Sequence, residues 1–191
     1  MTVVACVVEG HGEVQALPVL VRRLALAARP DARVIVPRPF RLPRGRFKAK
    51  GDLERAVAVV AQRVDRGGVL VLADADDDCP VELADELRGR LAGRVSCPVA
   101  VVLAVREYGA WFLASMSSLR NHPDVSSDAQ DTDAPEQVRD AKGELSRRLS
   151  VPKYSETRHQ PAFSQHMDLD QASTCRSFRK LRAEVERLMR A

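Results

Sequence analysis

Near the start of the chain stands Thr2-Val3-Val4-Ala5-Cys6-Val7-Val8-Glu9-Gly10-His11-Gly12-Glu13. The β-branched and small apolar run lacks the alternation of a half-solvated strand, so it predicts a strand buried on both faces, as in a parallel sheet. Gly10 and Gly12 break the run, and Glu9 and Glu13 arrive where it ends. Sixty residues on, Val69-Leu70-Val71-Leu72-Ala73 runs into Asp74-Ala75-Asp76-Asp77-Asp78. Ligands of open α/β sheets gather at the carboxyl ends of strands. If these two strands lie side by side, their acids crowd one small volume. Such a cluster is too repulsive to stay ionised without a cation, which predicts a divalent metal site.

The segments between continue the alternation. Leu17, Leu20, Val21, Leu24 and Ala28 share one helical face, and Pro18 implies either an irregular first turn or a start near Leu17. Residues 33–36 read as a short second strand. Residues 37–50 carry Arg38, Arg41, Arg44, Arg46, Lys48 and Lys50, no acid and three prolines, and read as a loop. Asp52 is placed to N-cap a helix reaching about residue 65, which Gly67-Gly68 would end. Residues 69–73 form the third strand. Pro80 opens a helix with Leu83, Leu87 and Leu91 on one face. Residues 99–105 form the fourth strand, and 106–113 a short helix whose aromatic side chains pack on the sheet edge. The pattern predicts an α/β fold with a central four-stranded parallel sheet flanked by helices, over residues 1–117. Residues 118–191 read as an acidic loop and a mostly helical C-terminal extension packed on that core. Within it, 121–140 is polar and predicts a mobile or poorly packed excursion. Helices are expected over 138–149 and 173–191, the latter with Phe178, Leu181, Val185 and Leu188 as its stripe.

Composition sets the class. At 191 residues, 45% apolar and 29% charged, the chain is long enough for one globular domain with a real core. A net charge of +4 permits a polyanionic partner without requiring one. The early acids interrupt any secretory h-region, and no apolar run is long enough to span a bilayer, so the expected location is cytoplasmic, with no membrane partner. Cys6, Cys79, Cys97 and Cys175 show no metal or redox spacing and read as reduced thiols.

The spacing of the acids suggests chemistry. On an extended segment Asp74, Asp76 and Asp78 project to one side and can face a single ion. Glu9 and Glu13 share a face if their turn becomes helical, and Glu107, after the fourth strand, could close the site. Paired hard cations activate a water and stabilise a leaving oxygen in phosphodiester cleavage. The plainer alternative is a solvated turn and helix N-cap, which aspartates also favour; recurrence at two strand ends weighs against it.

A strand running into Val8-Glu9-Gly10 with a second acid at Glu13, then a strand running into Asp74-Ala75-Asp76, resembles the Toprim domain of topoisomerases, primases and the overcoming-lysogenisation-defect nucleases. Arg106-Glu107-Tyr108 is similar to the acidic position after a later strand in the last group. Glu9 to Leu20, Leu72 to Asp78, Arg106 to Leu113 and Ser177-Phe178 together resemble stand-alone bacterial Toprim-like proteins encoded beside AAA or SMC-like ATPases. The resemblance implies a Toprim-like Rossmannoid fold and a Mg²⁺ or Mn²⁺ cofactor. The ion's ligands would be Glu9, Asp74 and Asp76, which it also implies to be catalytic, with Glu13, Asp78 and Glu107 as further ligands or supporting groups. It further implies a late basic residue at the reacting phosphate, for which Lys153 is the candidate, and an ATPase partner in phage defence.

The expectation is therefore a metal-dependent endonuclease acting on nucleic acid, DNA ahead of RNA. Arg38, Arg41, Arg44, Arg46, Lys48 and Lys50 would contact phosphates, while Phe40 and Phe47 either stack on bases or anchor the segment. His11 could orient a phosphate or carry a proton; His159 and His166 read as surface or hydrogen-bonding groups. The alternatives are a non-catalytic regulatory or toxin-like Toprim subunit and a phosphotransferase using Asp74 as nucleophile.

Overall fold

The computed structural model describes residues 1–31 and 33–191. β1 (Thr2–Val8) lies between two neighbours in a wholly parallel sheet. On one side it pairs with β4 (Gly67–Asp74), which in turn pairs with β5 (Val99–Ala104). On the other side two short strands share its edge: β2 (Val34–Ile35) beside the start of β1, and β3 (Phe40–Arg41) beside its end. The sheet thus has five strands: the expected second strand is β2, and β3 arises within the stretch expected to be a loop.

Alternation through the sheet produces two apolar layers. Val4, Cys6, Val8, Leu70, Leu72 and Val102 join the layer containing α1 (Glu13–Ala28) and α9 (Arg176–Leu188). Ala5, Val7, Val69, Val71 and Val101 face α3 (Asp52–Ala61) and α4 (Pro80–Leu91). With both faces covered, the strands need no polar alternation, which is why they read as continuous apolar runs.

Several local expectations are corrected. Residues 37–50 are not one loop: they hold β3 and the helix α2 (Arg44–Lys48), anchored by buried Leu42 and Phe47. Arg90 fastens the end of α2 by donating to the carbonyls of Phe47 and Ala49 at 3.0 and 2.9 Å while pairing with Glu54 at 2.9 Å. Asp52 is the first residue of α3, not its cap; Gly51 takes the cap position, and Asp52 pairs with Arg46 at 2.8 Å and with Arg55. Gly67 and Gly68 do not stop a helix but begin β4. Gly67 adopts φ +115° against β1, where a Cβ would stand 2.2 Å from the Val3 carbonyl oxygen. α1 begins at Glu13 and runs through Pro18.

The later chain is also more ordered than its composition implies. The short helix α5 (Ala110–Leu113) puts Trp111 in the main core, edge-on to Phe178 at 5.4 Å, not on the sheet edge. The Trp111 indole N–H donates to Ser177 Oγ at 2.8 Å, and Glu136 accepts from the backbone N–H groups of Arg176 and Ser177 at 2.9 and 2.8 Å. One carboxylate thereby caps α9 and ties it to the Trp111 turn. The excursion over 121–140 is packed: Asp124, Val125 and Ala129 are buried, and Val125 bridges Leu149. α6 (Ala141–Arg147) is capped by Asp140, and a helix absent from the sequence reading, α7 (Glu156–His166), lies against α1. The short α8 (Leu169–Ala172) follows, before α9. His159 is buried in α7; its Nδ1 accepts from the Ser155 N–H at 2.8 Å, and its Nε2 lies 3.2 Å from Asp124 Oδ2.

Gly67→Ala should cost about 3 kcal/mol of folding stability, because a left-handed φ and a backbone clash coincide at the β1–β4 pairing. Urea denaturation with an unchanged midpoint would contradict this account.

Candidate functional site

The parallel pairing of Val8 with Leu72 brings the ends of β1 and β4 level, so Glu9 and Asp74 emerge at the same edge of the sheet. Asp74 is enclosed. Its Oδ1 accepts a 2.8 Å bond from the Tyr108 N–H, while burial, followed by the charge of Glu13, pushes its carboxyl well above the ordinary carboxylate range. Glu13 folds back over the turn, its Oε2 accepting from the N–H groups of Gly10 at 2.9 Å and Glu9 at 3.2 Å. A Cβ at position 10 would stand 2.8 Å from Glu13 Oε1, so this closure favours glycine. Burial pushes the Glu13 carboxyl up to about 7. It also raises Glu9, against the opposing pull of Arg44.

Arg44 stands in the middle of these acids. Its guanidinium lies 3.3 Å from Glu9 Oε2, 3.1 Å from Asp76 Oδ2 and 2.9 Å from Asp78 Oδ2. It also donates to the Ala75 carbonyl at 3.2 Å and to the Asp74 carbonyl. Lys48 adds a 2.7 Å pair with Asp78, which holds that carboxyl below its usual range. Among the described residues, no three of the Asp, Glu, His and Cys side chains stand close enough to hold one metal ion. The acids are fanned around a protein cation instead.

The crossings above β4 and β5 are strained. Asp76 and Arg106 have φ of 49° and 63°, conformations that non-glycine residues seldom adopt. They support each other: the Asp76 N–H donates to the Arg106 carbonyl at 3.0 Å, and the Arg106 guanidinium donates to the Asp76 carbonyl at 3.2 Å. Asp77 is exposed and pairs with Arg106. A cleft of about 360 Å³ opens here between Asp76, Glu107, Arg106 and Arg139. Glu107 Oε1 accepts from the Ala141 N–H at 3.2 Å; its Oε2 is buried without a hydrogen-bond partner, and burial raises the carboxyl.

Lys153 is exposed and lines a second cleft, about 680 Å³ in volume, together with Lys142, Tyr154 and Glu156. Lys142 is the lysine whose charge is felt by Glu107 and Asp74, and it is held by a 2.8 Å pair with Glu156. No spacing in the sequence links Lys142 or Arg139 to the acids, and Arg106 enters the sequence reading only as the neighbour of Glu107. Within the basic stretch Arg44 and Lys48 turn toward the carboxylates, Arg46 pairs with Asp52, and Arg41 is half-buried with its Nε unpartnered. Lys50 lines a different cleft, beside Arg90 and Arg94. Arg38 and His11 are exposed.

The buried acids set a pH dependence. Folded Glu13 holds its proton more tightly than the unfolded chain does, so the native state binds more protons between pH 4.5 and about 7, and stability falls as pH rises through that window. Asp74 acts in the same direction. Glu13→Gln keeps an acceptor for the Gly10 and Glu9 N–H groups, and should flatten this slope in urea melts at pH 5 and 7.5. A slope equal to that of the unaltered protein would contradict the burial argument.

Comparison with known proteins adds a family. No curated protein and no solved structure matches the chain significantly. The family model described as Domain of unknown function (DUF4276) matches residues 8–186, and the chain belongs to that family.

Proposed function

We propose that this chain is a Toprim-like, divalent-metal-dependent nuclease. The observation that supports the reading best is the ring of oxygens from Glu9, Asp76, Asp78 and the Asp74 and Ala75 carbonyls, at the carboxyl end of a parallel sheet, closed on one guanidinium. The donors are all hard oxygens, which suits Mg²⁺ or Mn²⁺, and the buried Glu107 Oε2 has no hydrogen-bond partner to satisfy it. Glu9, Asp74 and Asp76 would hold the ion, with Glu13, Asp78 and Glu107 around them. When bound, the ion offsets negative charge developing on a phosphoryl group and its leaving oxygen. The chain's own groups do the rest. The Tyr108 N–H fixes the Asp74 carboxylate, Glu13 fixes the turn that carries Glu9, and Arg106 and Lys142 place positive charge on the two clefts where a phosphodiester would lie. Exposed Arg38 and Arg46 would add non-specific phosphate contacts that weaken with salt.

No helix among the described residues is long and apolar enough to cross a membrane. An ATPase partner and a role in phage defence rest on the resemblance to stand-alone Toprim-like proteins alone. Use of Asp74 as a phosphotransfer nucleophile fits poorly, since a carboxyl that holds its proton well above the ordinary range is a weak nucleophile.

One observation favours a second reading, a non-catalytic regulatory subunit: Arg44 already occupies the ring. The two separate on supercoiled plasmid with Mn²⁺. The nuclease reading expects nicking that falls at least ~100-fold in Glu9→Ala and Asp76→Ala, since even supporting groups of a metal site cost 10–100-fold. Equal nicking by the variants would sink it, and no nicking by any form, with or without an ATPase partner, would favour the regulatory reading.

A further inference from the structure

Arg44 is tied into the ring by five oxygen contacts, and its backbone cannot move away easily. α2 is anchored through Leu42 and Phe47 in the core and by Arg90 on its carbonyls. The side chain is another matter: it is long, a quarter exposed, and begins on the first residue of the helix. A divalent cation and this guanidinium need the same oxygens of Glu9, Asp76 and Asp78, so they cannot both be bound there. The cation can enter only as the guanidinium swings out, and the guanidinium then needs another anion. Lys48, one turn along α2 and half exposed, stands on the same face of the ring, so a phosphate chain drawn to this edge reaches Arg44 as well. Arginine is suited to exchange a carboxylate for a phosphate, because its planar fork fits either with paired hydrogen bonds.

We propose that Arg44 is the residue that couples the two ligands of this site: it competes with the divalent cation when no phosphate chain is present, and releases the ring when one is. The coupling rests on the metal-dependent reading given above. It requires that polyanion and cation strengthen each other's binding reciprocally, through a single side chain with two alternative partners. Removing that side chain abolishes the coupling while leaving the acids in place.

The test measures Mn²⁺ affinity from free-ion electron paramagnetic resonance, with and without a short non-cleavable phosphorothioate DNA duplex, after subtracting Mn²⁺ held by the duplex alone. In the unaltered protein the duplex should tighten Mn²⁺ binding roughly tenfold. Arg44→Gln should bind Mn²⁺ tightly without DNA and gain nothing from it. Arg44→Lys, which keeps one charge but cannot span the ring, should fall between the two and serves if the glutamine variant unfolds. Coupling that persists in Arg44→Gln, or DNA-free Mn²⁺ affinity no higher in that variant than in the unaltered protein, overturns the proposal. If Mn²⁺ binding is lost in Asp76→Ala but unaffected at position 44, the metal site stands and the coupling fails; if no form binds Mn²⁺, both fail.

Discussion

The parallel pairing of β1 with β4 is the constraint on which the rest depends. It levels the carboxyl ends of two strands whose next residues are acidic, and so concentrates negative charge at one edge of the sheet. Everything around that edge is arranged to tolerate it. Glu13 is turned onto backbone N–H groups, Asp74 is given the Tyr108 N–H, and Glu9, Asp76 and Asp78 share Arg44. Burying carboxylates without partners would cost several kcal/mol each or force their protonation. The chain does some of both, raising the inner acids and pairing the outer ones.

Two sheet faces serve different ends. The face toward α3 and α4 supports α2, so the basic segment is fixed by core packing and by Arg90. The other face carries α1, α7 and α9, and through them the turns that bring Glu107, Lys142 and Glu156 around the same edge. The acids therefore lie where the two layers meet, with helix-borne cations approaching from both.

How much could be read from the sequence follows from which signals are one-dimensional. Strands buried on both faces announce themselves as apolar runs, and the acids that follow Val8 and Ala73 mark their ends, so the α/β class and the acidic edge were legible. The stripe of Phe178, Leu181, Val185 and Leu188 likewise marks α9. α7 was not legible, because much of its buried face is His159, Gln160 and Ser164, polar groups that leave little apolar period. Nor was α2, whose flanking prolines read as loop while two anchors, Leu42 and Phe47, do the packing. Gly67 looked like a helix breaker because a close approach of two backbones leaves no trace in one segment. Among six neighbouring cations nothing local tells that Arg44 and Lys48 are the two that turn inward; that choice depends on where Asp76 and Asp78 end up after the chain folds.

The paired left-handed residues Asp76 and Arg106 have a consequence for how this surface can vary. A non-glycine residue in that conformation stores roughly 1–3 kcal/mol. Glycine at either position would relax the backbone, but it would also remove a side chain that holds the crossing: the Arg106 guanidinium on the Asp76 carbonyl, or the Asp76 carboxylate on Arg44. At this edge the backbone strain is thus borne by the same side chains that carry the charge, so a change that relieves the one gives up the other.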